Sequence, residues 1–416
     1  MFPKNGEKIP ELRFPEFTGD WEQRKLGEIT GKVIGGGTPK TCVSEYWDGD
    51  IPWIQSSNVQ ENEMFDFDIP KSITQEGLEK SAAKLVPENS IAVVTHVGVG
   101  KLVFVPFSYT TSQDFTSLSE LKTDAQFTCY SLYQRIKNDL HIVQGSAIKG
   151  ITKDDLLSKE IMVPEIQEQR KIGNYFRKLD NLITLHQRQC EVIKKQKQFF
   201  LQNMFPKEGE SSPKIRFKGF SDSWKQCKLH EICSMNARIG WQNLRTSEFL
   251  DSGDYLLITG TDFVNGKVNF KSCHYVDKYR FDQDLKIQVQ NGSILITKDG
   301  TLGKVAIIEA LPKPATLNAG VFNVVIKSKD IDNYYLYQYL KAPFLMNYVN
   351  KRSTGGTIKH LNQSILVDFP VLKPSLQEQQ KIGAYFERLD NLITLHQRQY
   401  EQLVSLKKYL LTKMFI

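Results

Sequence analysis

The chain contains a long internal duplication, and this feature limits its possible folds more than any other. Residues 164–189 and 374–399 are identical at 20 of 26 positions, including ten consecutive positions from Asp180 and Asp390. A second pair of segments, residues 1–29 and 204–232, agrees at 16 of 29 positions. The sequence therefore predicts a structural unit that occurs twice. The two copies are similar at their ends and differ in the block between the ends.

Each copy ends in a segment with helical periodicity. Apolar side chains recur in steps of four and three along residues 167–204 and 377–414, a spacing that also includes Lys197 and Lys407. Such spacing over more than four turns is typical of a coiled-coil seam. We expect two helices of about 57 Å, at about 1.5 Å per residue, which pair with each other and run antiparallel if a twofold axis relates the copies. Ser375 and Glu378 have the spacing of a capping box at the start of the second helix.

The seam side chains are the predicted contacts between the helices or with a partner. The alternative is that each helix packs only on its own domain. His186 and His396 lie on the seam without a Cys or carboxylate at ligand spacing, so we interpret them as polar register residues rather than metal ligands. The predicted seam residues are Ile172, Phe176, Leu179, Ile183, His186 and Ile193 in the first copy, and Ile382, Phe386, Leu389, Ile393, His396 and Leu403 in the second.

The two blocks between the repeated ends, residues 20–163 and 223–373, contain short apolar runs punctuated by Gly, Pro and Asp. This pattern is typical of a β-rich domain with some helix. The segments 94–101 and 296–304 align with one deletion in the first block. The sequence predicts an α+β chain with a circular internal repeat of pseudo-twofold symmetry. Its predicted parts are a domain at 1–165, a helix at 166–204, a domain at 205–374 and a helix at 375–416.

Neither block contains a recognisable catalytic or metal-binding motif. Serine hydrolase, zinc protease and amino-methyltransferase signatures are absent, and the six cysteines include no CxxC pair, which favours reduced thiols. The Gly-Lys pairs at 100–101 and 303–304 lack the first glycine and the Ser or Thr of a P-loop. Residues 35–39, GGGTP, do not form a dinucleotide-binding fingerprint, and their composition favours a flexible surface loop. We therefore predict a binding protein with no catalytic residue and no metal site.

Polar and basic loops are the strongest candidates for contacts with DNA. Arg and Lys suit guanine, whereas Asn and Gln suit adenine, and residues 351–360 combine Ser, Thr, Gly and basic residues that suit phosphate. The candidate DNA-binding residues are His96, Lys101, Gln144 and Lys149 in the first block, and Arg238, Gln242, Asn243, Arg245, Lys298, Lys304, Lys351, Arg352, Thr354, Lys359 and His360 in the second.

The net charge of +7 permits an anionic partner but does not identify one. Residues 167–204 carry eight basic and three acidic residues, and residues 377–414 carry six and four, so the helices hold the whole surplus. We therefore expect modest, salt-sensitive DNA affinity that depends on local loops and on partners. No run approaches the roughly 18 apolar residues of a membrane span, and the first 14 residues lack signal-peptide features. These features predict a cytoplasmic protein that does not bind membranes.

Several motifs occur in a recognisable order along nearly the whole chain. They are GGGTPKTCVSEYWDGDIPWI at 35–54, ILITKDGTLGKVAII at 294–308, STGGTIKHLN at 353–362 and the repeated helix start QEQxKIGxYF. Together with the duplicated architecture, they resemble a specificity subunit of a type I restriction–modification system. The resemblance implies two target-recognition domains that each read half of a bipartite, asymmetric site in double-stranded DNA. It also implies that the helices act as a ruler and dock two methyltransferase subunits.

The resemblance further implies ATP-dependent restriction subunits with translocase and nuclease activities. S-adenosylmethionine, ATP and Mg²⁺ would then bind partner subunits, and this chain would hold no cofactor. Two other functions stay open at this stage. The chain could be a stand-alone architectural DNA-binding protein with the same two domains, or a scaffold that binds only protein through its coiled coil. Copurification with a methyltransferase and DNA binding by the isolated chain distinguish the three.

Overall fold

The computed structural model describes residues 8–61, 63–142, 150–207, 209–239, 244–352 and 361–415. The first block runs from Glu22 to Val163. Its elements, followed by the first long helix, are β1 (Glu22–Lys25), α1 (Leu26–Ile29), β2 (Thr30–Gly35), β3 (Trp47–Ile54), β4 (Ser72–Ile73), α2 (Gln75–Glu79), β5 (Ser90–Val94), β6 (Leu102–Val105), β7 (Thr110–Thr111), β8 (Phe115–Leu121), α3 (Ala125–Ile142), α4 (Lys153–Ser158), β9 (Glu160–Val163) and α5 (Ile166–Asn203).

The second block repeats this order with additional short elements. They are β10 (Lys225–Lys228), α6 (Leu229–Ile232), β11 (Cys233–Asn236), β12 (Tyr255–Ile258), β13 (Phe263–Val264), β14 (Lys267–Val268), β15 (His274–Val276), α7 (Lys278–Asp282), β16 (Gln288–Val289), β17 (Ile294–Thr297), β18 (Val305–Ile307), β19 (Ala315–Leu317), β20 (Val321–Ile326), α8 (Asn333–Lys341), α9 (Pro343–Arg352), α10 (Gln363–Val367), β21 (Pro370–Lys373) and α11 (Leu376–Met414). Short 3₁₀ turns lie at Ser44–Tyr46, Ser56–Asn58, Thr246–Glu248, Gly260–Asp262 and Leu285–Ile287.

The chain divides into two compact units, and each combines one block with parts of both long helices. Unit 1 contains Met1–Gln187 and Gln397–Ile416, and unit 2 contains Arg188–His396. Among the described residues, none of the helices combines the length and hydropathy needed to span a bilayer.

In unit 1, a four-stranded antiparallel sheet and a three-stranded sheet enclose part of the core. The strand orders are β2-β8-β5-β6 and β4-β3-β7, and β1 pairs with β9 so that the beginning and end of the block lie together. Because side chains alternate along a strand, Ile91 and Val93 of β5 pack towards α3, whereas Ala92 and Val94 pack in the cluster that contains Ile54 of β3. The central strand is therefore buried on both faces.

Unit 2 has the same strand order with extensions. Its larger sheet is β11-β20-β17-β18-β14-β13, and its smaller sheet is β15-β12-β19-β16. The central strand β17 again alternates, with Ile294 and Ile296 in one buried cluster and Leu295 in the other. The predicted α+β class with two β-rich domains is confirmed.

The two long helices pack antiparallel to each other in both units, as the sequence predicts. In unit 1, Lys407 of α11 forms an ion pair of 2.5 Å with Asp180 of α5, and the rings of Phe415 and Phe176 lie 5.5 Å apart.

In unit 2, Lys197 of α5 pairs with Asp390 of α11 at 2.5 Å, and Phe200 lies 5.3 Å from Tyr385. Of the predicted seam residues, Ile172, Phe176, Leu179, Ile382, Phe386, Leu389 and Ile393 are buried. The half-buried seam residues are Ile183, His186, Ile193, His396 and Leu403.

The repeated helix start also anchors each helix to its own block. In unit 1, the buried Glu168 carboxylate accepts two hydrogen bonds of 2.7 Å from the Arg13 guanidinium. Gln169 accepts a hydrogen bond from the Asp124 backbone N–H just before α3, and a side chain at Gly173 would come within 2.9 Å of the Asp124 carboxylate. The helix therefore meets the N-terminus of α3 at a point where no larger residue fits.

Unit 2 repeats the anchor with Arg216 and Glu378, whose two hydrogen bonds measure 2.7 and 2.8 Å. Ser375 Oγ accepts from the Glu378 backbone N–H at 3.4 Å, so Ser375 supplies its half of the predicted capping box. The Glu378 carboxylate is instead held by Arg216, because the helix start is buried against the block.

We expect Arg216→Ala to lower the free energy of unfolding of unit 2 by about 3 kcal/mol, because it leaves the Glu378 carboxylate buried without its cation. Arg216→Lys keeps the charge but not the two parallel hydrogen bonds, so its free energy of unfolding should lie between those of the parent and of Arg216→Ala. Chemical denaturation measures the change, with the exposed Lys214→Ala as a control that should stay within about 0.5 kcal/mol of the parent. An equal loss in R216A and K214A would contradict the anchor.

Candidate nucleic-acid interface

In unit 1, several strand ends meet at one edge of the four-stranded sheet. Antiparallel pairing places Val94 opposite Phe115 and Gly35 opposite Thr116. The ends of β2 and β5 and the starts of β6 and β8 therefore lie together. We call residues 36–38, 95–101 and 112–114 the recognition edge of unit 1. The corresponding recognition edge of unit 2 consists of residues 237–239, 298–304 and 318–320.

The β5–β6 and β17–β18 turns share one hydrogen-bond pattern. The Val94 N–H donates to the Lys101 carbonyl at 2.8 Å, and the Thr297 N–H donates to the Lys304 carbonyl at 2.9 Å. Val94 thus corresponds to Thr297, and the two turns have equal length. The deletion expected from sequence is wrong, because strand register rather than the shared Val/Ile-Thr dipeptide sets the correspondence.

The chain returns to both recognition edges at the same place. The Ile151 N–H donates to the Thr95 carbonyl, and the Leu361 N–H donates to the Lys298 carbonyl, each at 2.8 Å. In each unit, a residue just after the later predicted loop is therefore held against the turn, whereas residues 143–149 and 353–360 of those loops lie outside the described residues.

The glycine segment after β2 is a packed strand end and not the flexible loop that its composition predicts. The Gly37 N–H donates to the Thr111 carbonyl at 2.8 Å, and the Gly37 carbonyl accepts from Trp53 Nε1 at 3.2 Å. A Cβ added to Gly36 would lie 1.9 Å from the Ser112 carbonyl oxygen. Glycine is required here because two backbones touch.

Sequence reasoning missed the turn between β7 and β8 in unit 1. Asp114 Oδ2 accepts hydrogen bonds from Ser56 Oγ at 3.3 Å and from Ser112 Oγ at 3.2 Å. The exposed Gln113 accepts a hydrogen bond at Oε1 from the Thr38 hydroxyl. The only signal in the sequence is a polar Ser-Gln-Asp between two strands, which is common in turns of any function.

The described candidates of unit 1 lie at this edge with different exposure. His96 is exposed, and its Nδ1 lies 3.2 Å from the Thr95 hydroxyl, which donates to the Asp114 carbonyl at 3.1 Å. Lys101 is half-buried and donates to the Val59 carbonyl at 3.0 Å. Gln144 and Lys149 lie outside the described residues.

Unit 2 places its candidates in three settings. Lys304 is exposed, whereas Lys298 is half-buried with its Nζ 5.8 Å from the centre of the Phe322 ring. Arg245 is exposed and donates its backbone N–H to Glu248. Lys351 and Arg352 are exposed at the end of α9. The candidates outside the described residues are Gln242, Asn243, Thr354, Lys359 and His360.

Arg238 differs from the surface donor that the sequence predicts. Its side chain is only 2% exposed. Nε donates to the Leu317 carbonyl at 3.0 Å, and Nη2 donates to Thr316 Oγ1 at 3.3 Å. Burial lowers the pKa of the guanidinium. The Arg238 guanidinium is therefore held against β19 inside unit 2 and does not lie on the surface.

Within the described part of the chain, no three His, Cys, Asp or Glu side chains cluster as metal ligands would. Two sheets of the same design thus present polar turns at the same edge, with different side chains at matching positions. The family model described as "Type I restriction modification DNA specificity domain" matches residues 18–195 and 221–405. The chain belongs to the type I restriction–modification DNA specificity family.

Individual relatives agree with this membership. The MjaVIII type I restriction enzyme specificity subunit of Methanocaldococcus jannaschii is 23% identical over 415 residues, which cover 97% of this chain and 93% of the relative. The crystal structure of a type I restriction–modification S subunit from M. genitalium superposes with a TM-score of 0.65 at 16% identity, over 98% of this chain and 99% of that chain. A chain from a structure of type I R-M complex assembly superposes with a TM-score of 0.50 at 16% identity, over 95% of this chain and 97% of that chain.

As a specificity subunit, the chain is the non-catalytic, DNA-recognising member of a type I restriction–modification system. Its two β-rich blocks are the target-recognition domains, and each lies within one of the two segments that the family model matches. The sequence-based assignment to this family is confirmed.

Lys304 provides a test of the recognition edge. We expect Lys304→Ala to weaken binding of the assembled complex to all duplexes by a similar factor and to lower the slope of log K against log salt concentration by about 0.9, as for one lost phosphate contact. Lys327 is also exposed and follows β20 at the opposite edge of the sheet. Lys327→Ala should leave the slope unchanged, and equal slopes for both variants would argue against this edge.

Proposed function

We propose that each target-recognition domain reads one half of a bipartite, asymmetric DNA site, and that α5 and α11 set the spacing between the halves. The helices also dock two methyltransferase subunits, through which ATP-dependent restriction subunits join. S-adenosylmethionine, ATP and Mg²⁺ bind those partners. The observation that carries the proposal is that the two recognition edges share one backbone design and differ in their side chains.

Matching positions of the two edges have different hydrogen-bonding chemistry. Strand register and turn pattern match His96 with Asp299, and Gln113 with Ala319. Because bases are distinguished by the donors and acceptors on their edges, two edges with unlike side chains favour two unlike half-sites. An asymmetric target follows from this difference.

The spacing role rests on the continuity of the helices. α5 runs without a break through Gln187 and Arg188, the residues at which the two compact units divide, and α11 does the same at His396 and Gln397. In each unit, the two helices are joined by an ion pair whose lysine is buried. A continuous helix has a fixed rise per residue, and therefore suits a fixed spacing.

An architectural DNA-binding protein with the same two domains is the alternative without enzyme partners. Coexpression of the chain with a type I methyltransferase subunit, followed by copurification, distinguishes the two. A stable complex that methylates DNA supports the proposal, whereas DNA binding by the chain without any retained methyltransferase supports the alternative.

Exchange of residues 223–373 for the matching block of another family member should change one half-site only. The exchange points suit the fold because β10 and β21 pair antiparallel, with Lys225 opposite Lys373, so both junctions lie together. A genome-wide map of methylated adenines measures the result. The matched exchange of residues 20–163 should change the other half-site. If either exchange alters both halves, the domains do not read DNA independently.

Insertion of four residues after Gln187 and four after His396 should widen the gap between the half-sites by about two base pairs, since each residue adds about 1.5 Å and each base pair about 3.4 Å. The same methylation map measures the gap. Substitution of four residues at each point without insertion serves as the control and should keep the gap. An unchanged gap in an active insertion variant would contradict the proposal that the helices set the spacing.

A further inference from the structure

We infer that Gln113 is a base-reading residue of the first target-recognition domain and that it selects an adenine in that half-site. The inference rests on the proposed function, because it assumes that the recognition edge of unit 1 faces DNA. Gln113 is exposed in the β7–β8 turn, although the sequence there shows only a polar segment between two strands.

The turn that carries Gln113 is held by backbone hydrogen bonds on both sides. The Ser112 N–H donates to the Ile54 carbonyl at 2.8 Å, and the Thr95 N–H donates to the Asp114 carbonyl at 2.7 Å. Ser112 and Phe115 are buried, whereas Gln113 between them is exposed. A side chain in this position starts from a fixed backbone, which a base contact requires.

Hydroxyl groups fix the turn further and orient the amide. Ser56 and Ser112 both donate to Asp114 Oδ2, so the carboxylate closes the turn. The Thr38 hydroxyl donates to Gln113 Oε1. This hydrogen bond restricts the rotation of the amide and therefore lowers the entropy that the side chain would lose on binding.

The Thr38 contact leaves the amide able to donate and accept together. Oε1 has two lone pairs, of which Thr38 uses one, and Nε2 has two N–H groups. In the major groove, adenine places the N6 donor beside the N7 acceptor, whereas guanine presents two acceptors. Cytosine offers only its N4 donor and thymine only its O4 acceptor as hydrogen-bonding groups. Adenine is thus the base that a glutamine matches with two hydrogen bonds.

The second domain offers an internal comparison. Val321 corresponds to Phe115, because Phe115 pairs with the last residue of β5 and Val321 pairs with the last residue of β17. Gln113 then corresponds to Ala319, whose side chain cannot form a hydrogen bond. The effect of changing Gln113 should therefore be confined to one half-site.

The test uses the full-length chain in complex with its methyltransferase subunits. Gln113→Ala should reduce the preference for adenine at one position of one half-site by roughly 5- to 150-fold, the discrimination of one good two-bond contact. Gln113→Glu should move the preference at that position towards cytosine, because a carboxylate only accepts. Binding to duplexes with single base-pair changes measures both, and a methylated-adenine map checks them in cells.

Three further variants separate base reading from a general loss of structure. Thr38→Val keeps the shape without the hydroxyl and should weaken the adenine preference, and Thr38→Ser should restore it. Gln75→Ala removes another exposed glutamine, at the start of α2, and should leave both half-sites unchanged. If Gln113→Ala does not fold, Gln113→Glu and Thr38→Val provide the same measurement.

The outcomes keep this inference distinct from the proposed function. A parent complex that reads a bipartite site, with both Gln113 variants reading the same bases equally well, would overturn the role of Gln113 alone. A change at the half-site of the second domain, or at several positions of both halves, would overturn it as well. A parent complex with no bipartite site would instead overturn the proposed function.

Discussion

The other elements depend on an ion pair between the two long helices, formed in each unit by a buried lysine and a half-buried aspartate. In unit 2, Asp390 binds Lys197 of the facing helix at 2.5 Å and accepts from Gln338 of α8 at 2.8 Å. Burial, with the nearby Lys341 ammonium, lowers the pKa of Lys197 to about 8, so the pair carries a desolvation cost that an apolar pair would avoid. In return it fixes register, because only one antiparallel alignment brings these charges together. Asp180 makes the corresponding contacts in unit 1 with Lys407 and Tyr130.

The ends of the chain follow the same design as its middle. In unit 2, the Ile215 N–H donates to the Asn203 carbonyl at 2.9 Å, within one continuous segment that leaves α5. In unit 1, the Leu12 N–H donates to the Lys413 carbonyl at 2.9 Å, so the matching contact joins the two ends of the chain. Phe415 accordingly occupies in its core the place that Phe205 has in the other. The repeat is therefore circular, and each domain has the same support although only one is built from continuous chain.

Sequence patterns predict the parts of this fold that depend on neighbours along the chain. The long helices follow from one apolar face repeated over ten turns, and the β-rich blocks follow from alternating apolar runs between turns. The recognition edges depend on residues far apart: Arg238 is buried because its guanidinium reaches Leu317, 79 positions away. Gly36 is packed because the Ser112 carbonyl lies against it, and the role of Thr38 depends on its hydrogen bond to Gln113. Composition gives no information about such pairings, so exposure and orientation could not be predicted.

The charge at the recognition edges bears on how selectivity arises. Both edges include carboxylates, Asp114 in one and Asp299 in the other, beside cations such as Lys304. Carboxylates near DNA reduce the attraction to phosphate, which supplies most of non-specific binding, but they do not prevent hydrogen bonds to base edges. A domain of this kind therefore has little binding free energy for DNA of the wrong sequence. If the recognition edges face DNA as proposed, we expect such a domain to combine high selectivity with modest affinity, and the basic surplus on the helices and the partner subunits to supply the remaining attraction.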